Sequence, residues 1–484
     1  MANWGIHGGA AELAMLKLIF YLTLTAVGVA GSLMSPAVGI IACIEAYLLN
    51  PTAIWMENYG IRFQLIVTVA FLVGFLIHRP RGIQKVGREG GLAVALWVFV
   101  AIGALSSLWA VVSSANALHD IYEMFKTVLL ATMLIRAITN ERQMRWVIIA
   151  CILGVWHAAA LHVFGVRLGL ISSFLGREEG VLPDYQTGVM VLFVPLLVLL
   201  AILGSKTERI LSWIALPFVL DSIVGTYQRT GFVCLAVEGV LFAILVPRRI
   251  TFRLLPVLAI SAALFAFRFT PENYWKWIST ISQPTKEGSA NSRFTIDHAS
   301  IRMFLDYPMG VGYRNYPDVS PRYLPKDLLT AGRRSAHNSF FAILCETGVF
   351  GFAPWICAFV GAIWLMRRLR RSRDGGNLDN LAVYALGIEL GLYGWMVGGL
   401  FHAMHEVDPA YWFVGFAVVL TRLHGEKEMQ EESLATADRS DSASVAGRAA
   451  TAGAIPMDNS KQIMPFEVRQ LLSKQHSCSL SETG

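Results

Sequence analysis

Three groups of residues in this chain have the types and spacing that chemistry needs. The first is Arg229, in Thr226-Tyr227-Gln228-Arg229-Thr230-Gly231, a turn of a few residues between two apolar stretches. A charge at such a depth is costly unless it is paired or faces a water-filled cavity. The plainer reading is an arginine that snorkels from a helix end. The second lies in Ser292–Gly351, where Arg293 opens a segment with apolar residues at 294, 301, 304 and 305. That spacing predicts an amphipathic helix able to lie on a membrane surface. Tyr307-Pro308-Met309-Gly310-Val311-Gly312 then ends it. Its G-x-G lacks the strand-to-helix context of a phosphate loop, so it reads as a turn. The third is His337, which follows Arg333-Arg334 and precedes Asn338 at the start of a long apolar run. An imidazole titrates near neutrality and can serve as base or acid; its plain alternative is a hydrogen-bonded interfacial histidine.

Other polar groups compete with these. Glu346 follows His337 by nine residues, which on a helix is ~13.5 Å deeper and half a turn away. It therefore cannot orient His337 across one helix face, and a packing or pairing role suits it better. His402, His405, Glu406 and Asp408 form a rival cluster, with two histidines at i and i+3 and carboxylates following. As a metal site it lacks the H-E-x-x-H pattern. His157 and His162 point to different faces, and Asp221 or Glu238 can serve as a counter-charge to Arg229. Five of the six cysteines lie in apolar stretches and none forms C-x-x-C, so they read as small buried hydrophobes.

The elements that must position these residues are apolar. The chain has 484 residues, 55% hydrophobic and only 15% charged, against about a quarter charged in soluble domains. A membrane-spanning helix needs about 20 apolar residues. Twelve stretches qualify, near 13–33, 61–79, 91–112, 121–138, 146–166, 187–204, 208–226, 231–247, 252–268, 338–366, 380–401 and 408–422. A shorter one at 36–50, between Pro36 and Pro51, reads as re-entrant or as a thirteenth span. The first stretch lacks a basic n-region and a cleavage site, so it reads as a retained helix rather than a signal peptide. This is an all-α polytopic membrane pattern.

The net charge of +6 is no nucleic-acid signal, because its distribution carries the meaning. Basic clusters at 78–88, 142–145, 206–209, 248–253 and 367–373 fall between apolar stretches, which assigns those connections to the cytoplasm. The opposite side then receives 167–186, the 227–230 turn, the long loop 269–336 and 402–408. That loop carries nine Lys/Arg against six Asp/Glu and is punctuated by tryptophan and tyrosine. A loop of this length is functional or disordered, and the aromatics argue for function. The polar tail 423–484 reads as cytoplasmic and disordered. The transmembrane domain is thus 1–422. No internal repeat or inverted symmetry suggests a secondary transporter.

These residues together resemble the O-antigen ligase and polymerase superfamily, the WaaL and Wzy proteins and their O-glycosylation relatives. The resemblance rests on Gln228-Arg229-Thr230-Gly231, on Arg293 through Asp306-Tyr307-Pro308-Met309-Gly310-Val311-Gly312, and on His337-Asn338 followed by Glu346-Thr347-Gly348-Val349-Phe350-Gly351. It covers about 210–366; the flanking stretches match only in hydropathy. Gln228 stands where a smaller residue is commoner, Thr230 where a glycine often follows, and no Asn occurs near Asp184-Tyr185-Gln186. These departures bear on substrate identity.

The resemblance implies a GT-C-like glycosyltransferase of about twelve helices in a bacterial inner membrane, with one long extracytoplasmic loop. It would move a glycan from undecaprenyl diphosphate to a lipid, protein or glycan acceptor at the periplasmic face, with no cofactor and no metal. Arg229 and Arg293 would hold the diphosphate, since guanidinium groups offer planar bidentate donors. His337 would take the acceptor's proton, with Asn338, Arg333 and Arg334 in support. The compact loop and the adjacent His-Asn pair incline the reading toward a ligase over a polymerase; a lipid-linked sugar transporter is the reading from another class.

Overall fold

The computed structural model describes residues 6–49, 62–78, 87–164, 184–225, 228–248, 250–252, 288–372 and 379–452. Among them the chain is all-α. In chain order the helices are α1 (Ile6–Met34), α2 (Pro36–Leu49), α3 (Phe63–Ile77), α4 (Gly91–Ser106), α5 (Ser114–Ala137), α6 (Glu141–His162) and α7 (Asp184–Leu203). They continue with α8 (Lys206–Gly225), α9 (Arg229–Leu245), α10 (Gly288–Asp306), α11 (Tyr316–Val319), α12 (Ser339–Ser372), α13 (Asn380–Gly399) and α14 (Asp408–Ala452). The chain divides into two compact units, Met1–Gly425 and Glu426–Gly484.

The apolar stretches named above coincide with helices, except 252–268, which lies almost wholly outside the described residues. Among the described residues four helices are long and apolar enough to cross a membrane: Gly91–Trp109, Glu141–His162, Ser339–Arg371 and Asn380–Gly399. Length and apolarity among the described residues thus support an all-α membrane protein but not the count of twelve spans, for a physical reason. α2 and α3 are apolar but short, with 14 and 15 residues, while charges in α5 and α8 dilute their hydropathy. The 36–50 segment is helical over Pro36–Leu49 and doubles back on α1 after Ser35. Its 14 residues rise about 21 Å, less than the ~30 Å hydrocarbon layer. Residues 423–452, read as disordered from composition, are helical, continuing α14 through good helix formers such as Glu, Lys, Met, Leu and Ala.

α13 is the central helix of the first unit, buried on nearly every face by α7, α9 and α12. Small residues permit this. At Gly391 an added Cβ would stand 2.1 Å from the Leu192 carbonyl of α7, and one turn earlier Gly387 packs against Leu196. Such G-x-x-x-G spacing lets helix backbones meet closely where water is absent. Aromatic packing completes the core: Phe359 of α12 stacks on Trp395 of α13 at 4.3 Å, with Trp355 and Tyr411 alongside.

The helices share a polarity that separates the candidate site from the basic clusters. α4 starts just after Arg88, α9 ends before Arg248, and α12 ends at Arg367–Arg371. Their other ends carry the 107–113 turn, Arg229 and His337.

Candidate functional site

The site is built around a kink in α12. Gly348 has φ 65° and ψ −171° inside the helix, so the i→i−4 ladder breaks there. The carbonyls of Cys345 and Glu346 take other donors, the backbone N–H of Val311 at 2.8 Å and of Gly312 at 3.0 Å. The Tyr307–Gly312 turn thus inserts into the kink. Its fit is backbone to backbone: a Cβ at Gly310 (φ 88°) would stand 2.4 Å from the Glu346 carbonyl, and one at Gly348 would stand 2.5 Å from the Pro308 carbonyl. Only glycine tolerates both the positive φ and the contact. The turn is also tied to α4's end, through Val111 N–H to the Val311 carbonyl (2.9 Å) and Trp109 Nε1 to the Met309 carbonyl (3.2 Å).

Glu346 locks the segment that follows the turn. Its buried carboxylate accepts the backbone N–H groups of Arg314 and Tyr316 and lies within electrostatic reach of the Arg314 guanidinium. Arg314, itself at φ 60°, also pairs with Glu406 and with Asp120 of α5 (3.6 Å). One arginine therefore joins the turn to α5, to α12 and to the short 3₁₀ helix Met404–Glu406. Nothing in the sequence pattern singled it out.

On this frame Arg229 and Arg334 lie within electrostatic reach of Arg293. Half-buried Arg293, near the start of α10, has its charge disfavoured by burial and by the neighbouring guanidiniums of Arg229 and Arg334; the Asp297 carboxylate, one turn along α10, works the other way. Arg229 is the first residue of α9, where the helix dipole adds positive potential. Arg293 also stands over the Phe401 ring at 6.0 Å. Arg333, though adjacent to Arg334 in sequence, is mostly exposed and pairs with Asp318 at 3.4 Å. The two supporting arginines thus part company.

His337, three residues after Arg334, adopts a left-handed conformation, φ 50°. Such a backbone costs a non-glycine residue about 1–3 kcal/mol and persists only when its neighbours fix it. They do. Ala336 is buried against Met303, Val311 and Tyr316. Asn338 caps α12, its Oδ1 accepting Phe340 N–H at 3.0 Å and Phe341 N–H at 3.3 Å. The Asn338 side chain also hydrogen-bonds Asp297, whose carboxyl is nonetheless raised by burial. Ser339 Oγ donates to the His402 carbonyl (2.8 Å) and accepts His405 N–H (3.1 Å). His337 and His402 stack nearly parallel, rings 6.3 Å apart.

Members of the rival cluster take partners outside it, although His405 and Glu406 stay 3.9 Å apart. His402 faces His337, Glu406 pairs with Arg314, and Asp408 accepts the Thr127 hydroxyl at 2.8 Å. Among the described residues no three His, Cys, Asp or Glu side chains gather as a metal-ligand set. Glu238 packs against Gly394 of α13 with neither oxygen hydrogen-bonded, so it is not the hydrogen-bonded counter-charge of Arg229.

His405 is buried, neither ring nitrogen is hydrogen-bonded, and burial pushes its pKa down to about 4. The folded protein therefore binds fewer protons there than the unfolded chain, whose histidine titrates near 6.5. Its contribution to stability is complete above pH 6.5 and is lost as pH falls toward 4, about 3 kcal/mol in all. Thermal melts of detergent-solubilised protein across that window should show the loss, and His405→Leu should flatten it. A wild-type melt independent of pH between 6.5 and 4 would refute it.

Sequence reasoning named Arg229, Arg293, His337 and Asn338, but not Asp297 or the stacking of His402 on His337. The i, i+4 spacing of Arg293 and Asp297 was the available signal for the first; the stacking partner had none. No curated protein matches this chain. Residues 214–356, from within α8 to within α12, match the family model Wzy_C, described as O-Antigen ligase. That stretch holds the three arginines, the turn, the kink and His337, and over it the chain is similar to the O-antigen ligase and Wzy-type polymerase superfamily.

Proposed function

We propose that the protein is a membrane glycosyltransferase that moves a glycan from undecaprenyl diphosphate to an acceptor hydroxyl, at the periplasmic face of a bacterial inner membrane. The observation that carries this is that Arg229 and Arg334 lie within electrostatic reach of half-buried Arg293, inside the stretch similar to O-antigen ligase. Like charges repel, so such a cluster is built for an anion of high charge. A diphosphate meets that description, and preorganised guanidinium groups stabilise the charge that develops on it as it leaves.

In the reaction the acceptor oxygen attacks the anomeric carbon from the face opposite the diphosphate. The carbon–oxygen bond to phosphate breaks, undecaprenyl diphosphate departs with the bonding pair, and configuration inverts. His337 accepts the hydroxyl proton as attack proceeds. Asn338 and Ser339 fix its backbone, and Asp297 orients Asn338 while moderating the charge of Arg293. The arginines supply the positive charge, so the step runs without a metal ion. A ligase and a polymerase share this donor chemistry and differ in acceptor; the single compact loop supports the ligase. A transporter would need charged groups along a path through the bundle, whereas Arg229, Arg293, Arg334 and His337 gather at one end.

The test is reconstitution with defined undecaprenyl-diphosphate sugars and candidate acceptors, with products identified by mass. Arg334→Gln should raise the KM for donor about tenfold or more, as loss of a charged hydrogen bond costs ~1.5–3 kcal/mol. Arg333→Gln should stay within about twofold, as exposed pairs contribute little. Equal effects of the two substitutions would count against the cluster, and no glycosyl transfer to any acceptor would count against the function.

A further inference from the structure

α10 displays three faces. With 3.6 residues per turn, Phe294, Ile301 and Leu305 fall within about 20° of one line along the helix. All three are solvent-exposed, Phe294 and Leu305 at 69% each. The opposite face, Ile296, Ala299 and Met303, is buried against the turn and α12. On one flank lie Arg293 and Asp297, facing the arginine cluster; on the other lie exposed His298 and Arg302. Burial of the packed face explains half of the helix's apolar content. The exposed stripe is left over, and a helix outside the bundle does not ordinarily present a phenylalanine, an isoleucine and a leucine in one line to water.

The stripe does not end with α10. Met309, one turn beyond Leu305, is exposed, and its carbonyl is bonded by Trp109 at the end of α4. Its backbone also abuts the α12 kink, where Phe350 is exposed. α4 and α12 are two of the four helices long and apolar enough to cross a membrane. The exposed line on α10 therefore runs into the surface those helices turn toward lipid, with an indole at the junction, where tryptophan prefers the membrane interface.

We propose that α10 is a monotopic anchor, its Phe294–Ile301–Leu305 stripe buried in the outer edge of the bilayer and Arg302 reaching the lipid head groups. A helix with a narrow apolar face and basic flank binds an interface in this way. The consequence deepens the functional reading above and rests on it: the anchor holds Arg293 at the depth where the phosphates of a lipid-linked donor lie.

The test places a photo-crosslinking phenylalanine derivative at 294, 301 or 305 of the full-length protein. The protein is reconstituted in phosphatidylethanolamine–phosphatidylglycerol vesicles, and mass spectrometry identifies the adducts. Val98, exposed on α4, is the positive control, and exposed Asp327 the negative one. The expected result is lipid adducts at all three positions, at a frequency near that of Val98 and several-fold above that of Asp327. Adducts to peptides of a second copy, to residues 253–287 of the same chain, or lipid adducts no more frequent than at 327 would each overturn the anchor. The readout needs no catalysis: lipid adducts without glycosyl transfer would keep the anchor and remove the function, and transfer without lipid adducts would do the reverse.

Discussion

His337→Asn lowers the transfer rate by roughly 10²–10⁴-fold, the usual contribution of a positioned general base. Asparagine is the informative substitution because His337 occupies φ 50°. An alanine there would add backbone strain to the loss of the imidazole, whereas Asn enters the left-handed region readily. The backbone on both sides is independently fixed, by buried Ala336 and by the Asn338 cap. The variant should therefore fold, bind donor with little change in KM, and fail in kcat. Arg229→Lys should show the reverse emphasis, since an ammonium keeps the charge but loses bidentate geometry. A His337→Asn enzyme with near wild-type kcat in a protein of unchanged melting temperature would remove His337 from catalysis. The neighbouring His402 would then be the imidazole to test, since its ring stacks on that of His337.

The sequence made the ends of this machinery legible and hid its middle. Arg229 and His337 stood out because each interrupts hydrocarbon at a predicted helix end, where a charge or imidazole needs a reason. The Tyr307–Gly312 turn and Glu346-Thr347-Gly348 were legible as a motif, but their relation was not. Helix arithmetic set Glu346 apart from His337 on the assumption of an unbroken helix; the kink at Gly348 lies beyond that arithmetic. Arg314 was invisible for a different reason. Its partners Asp120, Glu346 and Glu406 come from three distant parts of the chain, and no local period connects them. Arg333 and Arg334 looked equivalent, and only the bond of Arg334 N–H to Ser320 Oγ and the pairing of Arg333 with Asp318 part them. Local physics could place helices; long-range pairing had to be seen.

Gly348→Ala should destabilise the protein by roughly 3 kcal/mol or more, combining backbone strain with lost hydrogen bonds. At φ 65° and ψ −171° the residue occupies a region open almost only to glycine. The added methyl would also stand 2.5 Å from the Pro308 carbonyl. Two relaxations are available. If α12 straightens, the carbonyls of Cys345 and Glu346 return to the helix, and Val311 and Gly312 lose their acceptors. If the turn withdraws instead, Glu346 loses its hold on Arg314 and Tyr316. Either way the turn moves, and it carries α10 with Arg293 on one side while the segment toward His337 leaves on the other. Transfer should fall with stability although Gly348 touches no substrate. Gly332→Ala is the control: its φ is 79°, but nothing lies within 4 Å of an added methyl, so it should cost only about 1–2 kcal/mol. Melting temperatures of the two variants rank the effect directly. Equal melting temperatures would mean that the turn and the kink do not brace each other, and that the glycines of the motif serve the substrate rather than the fold.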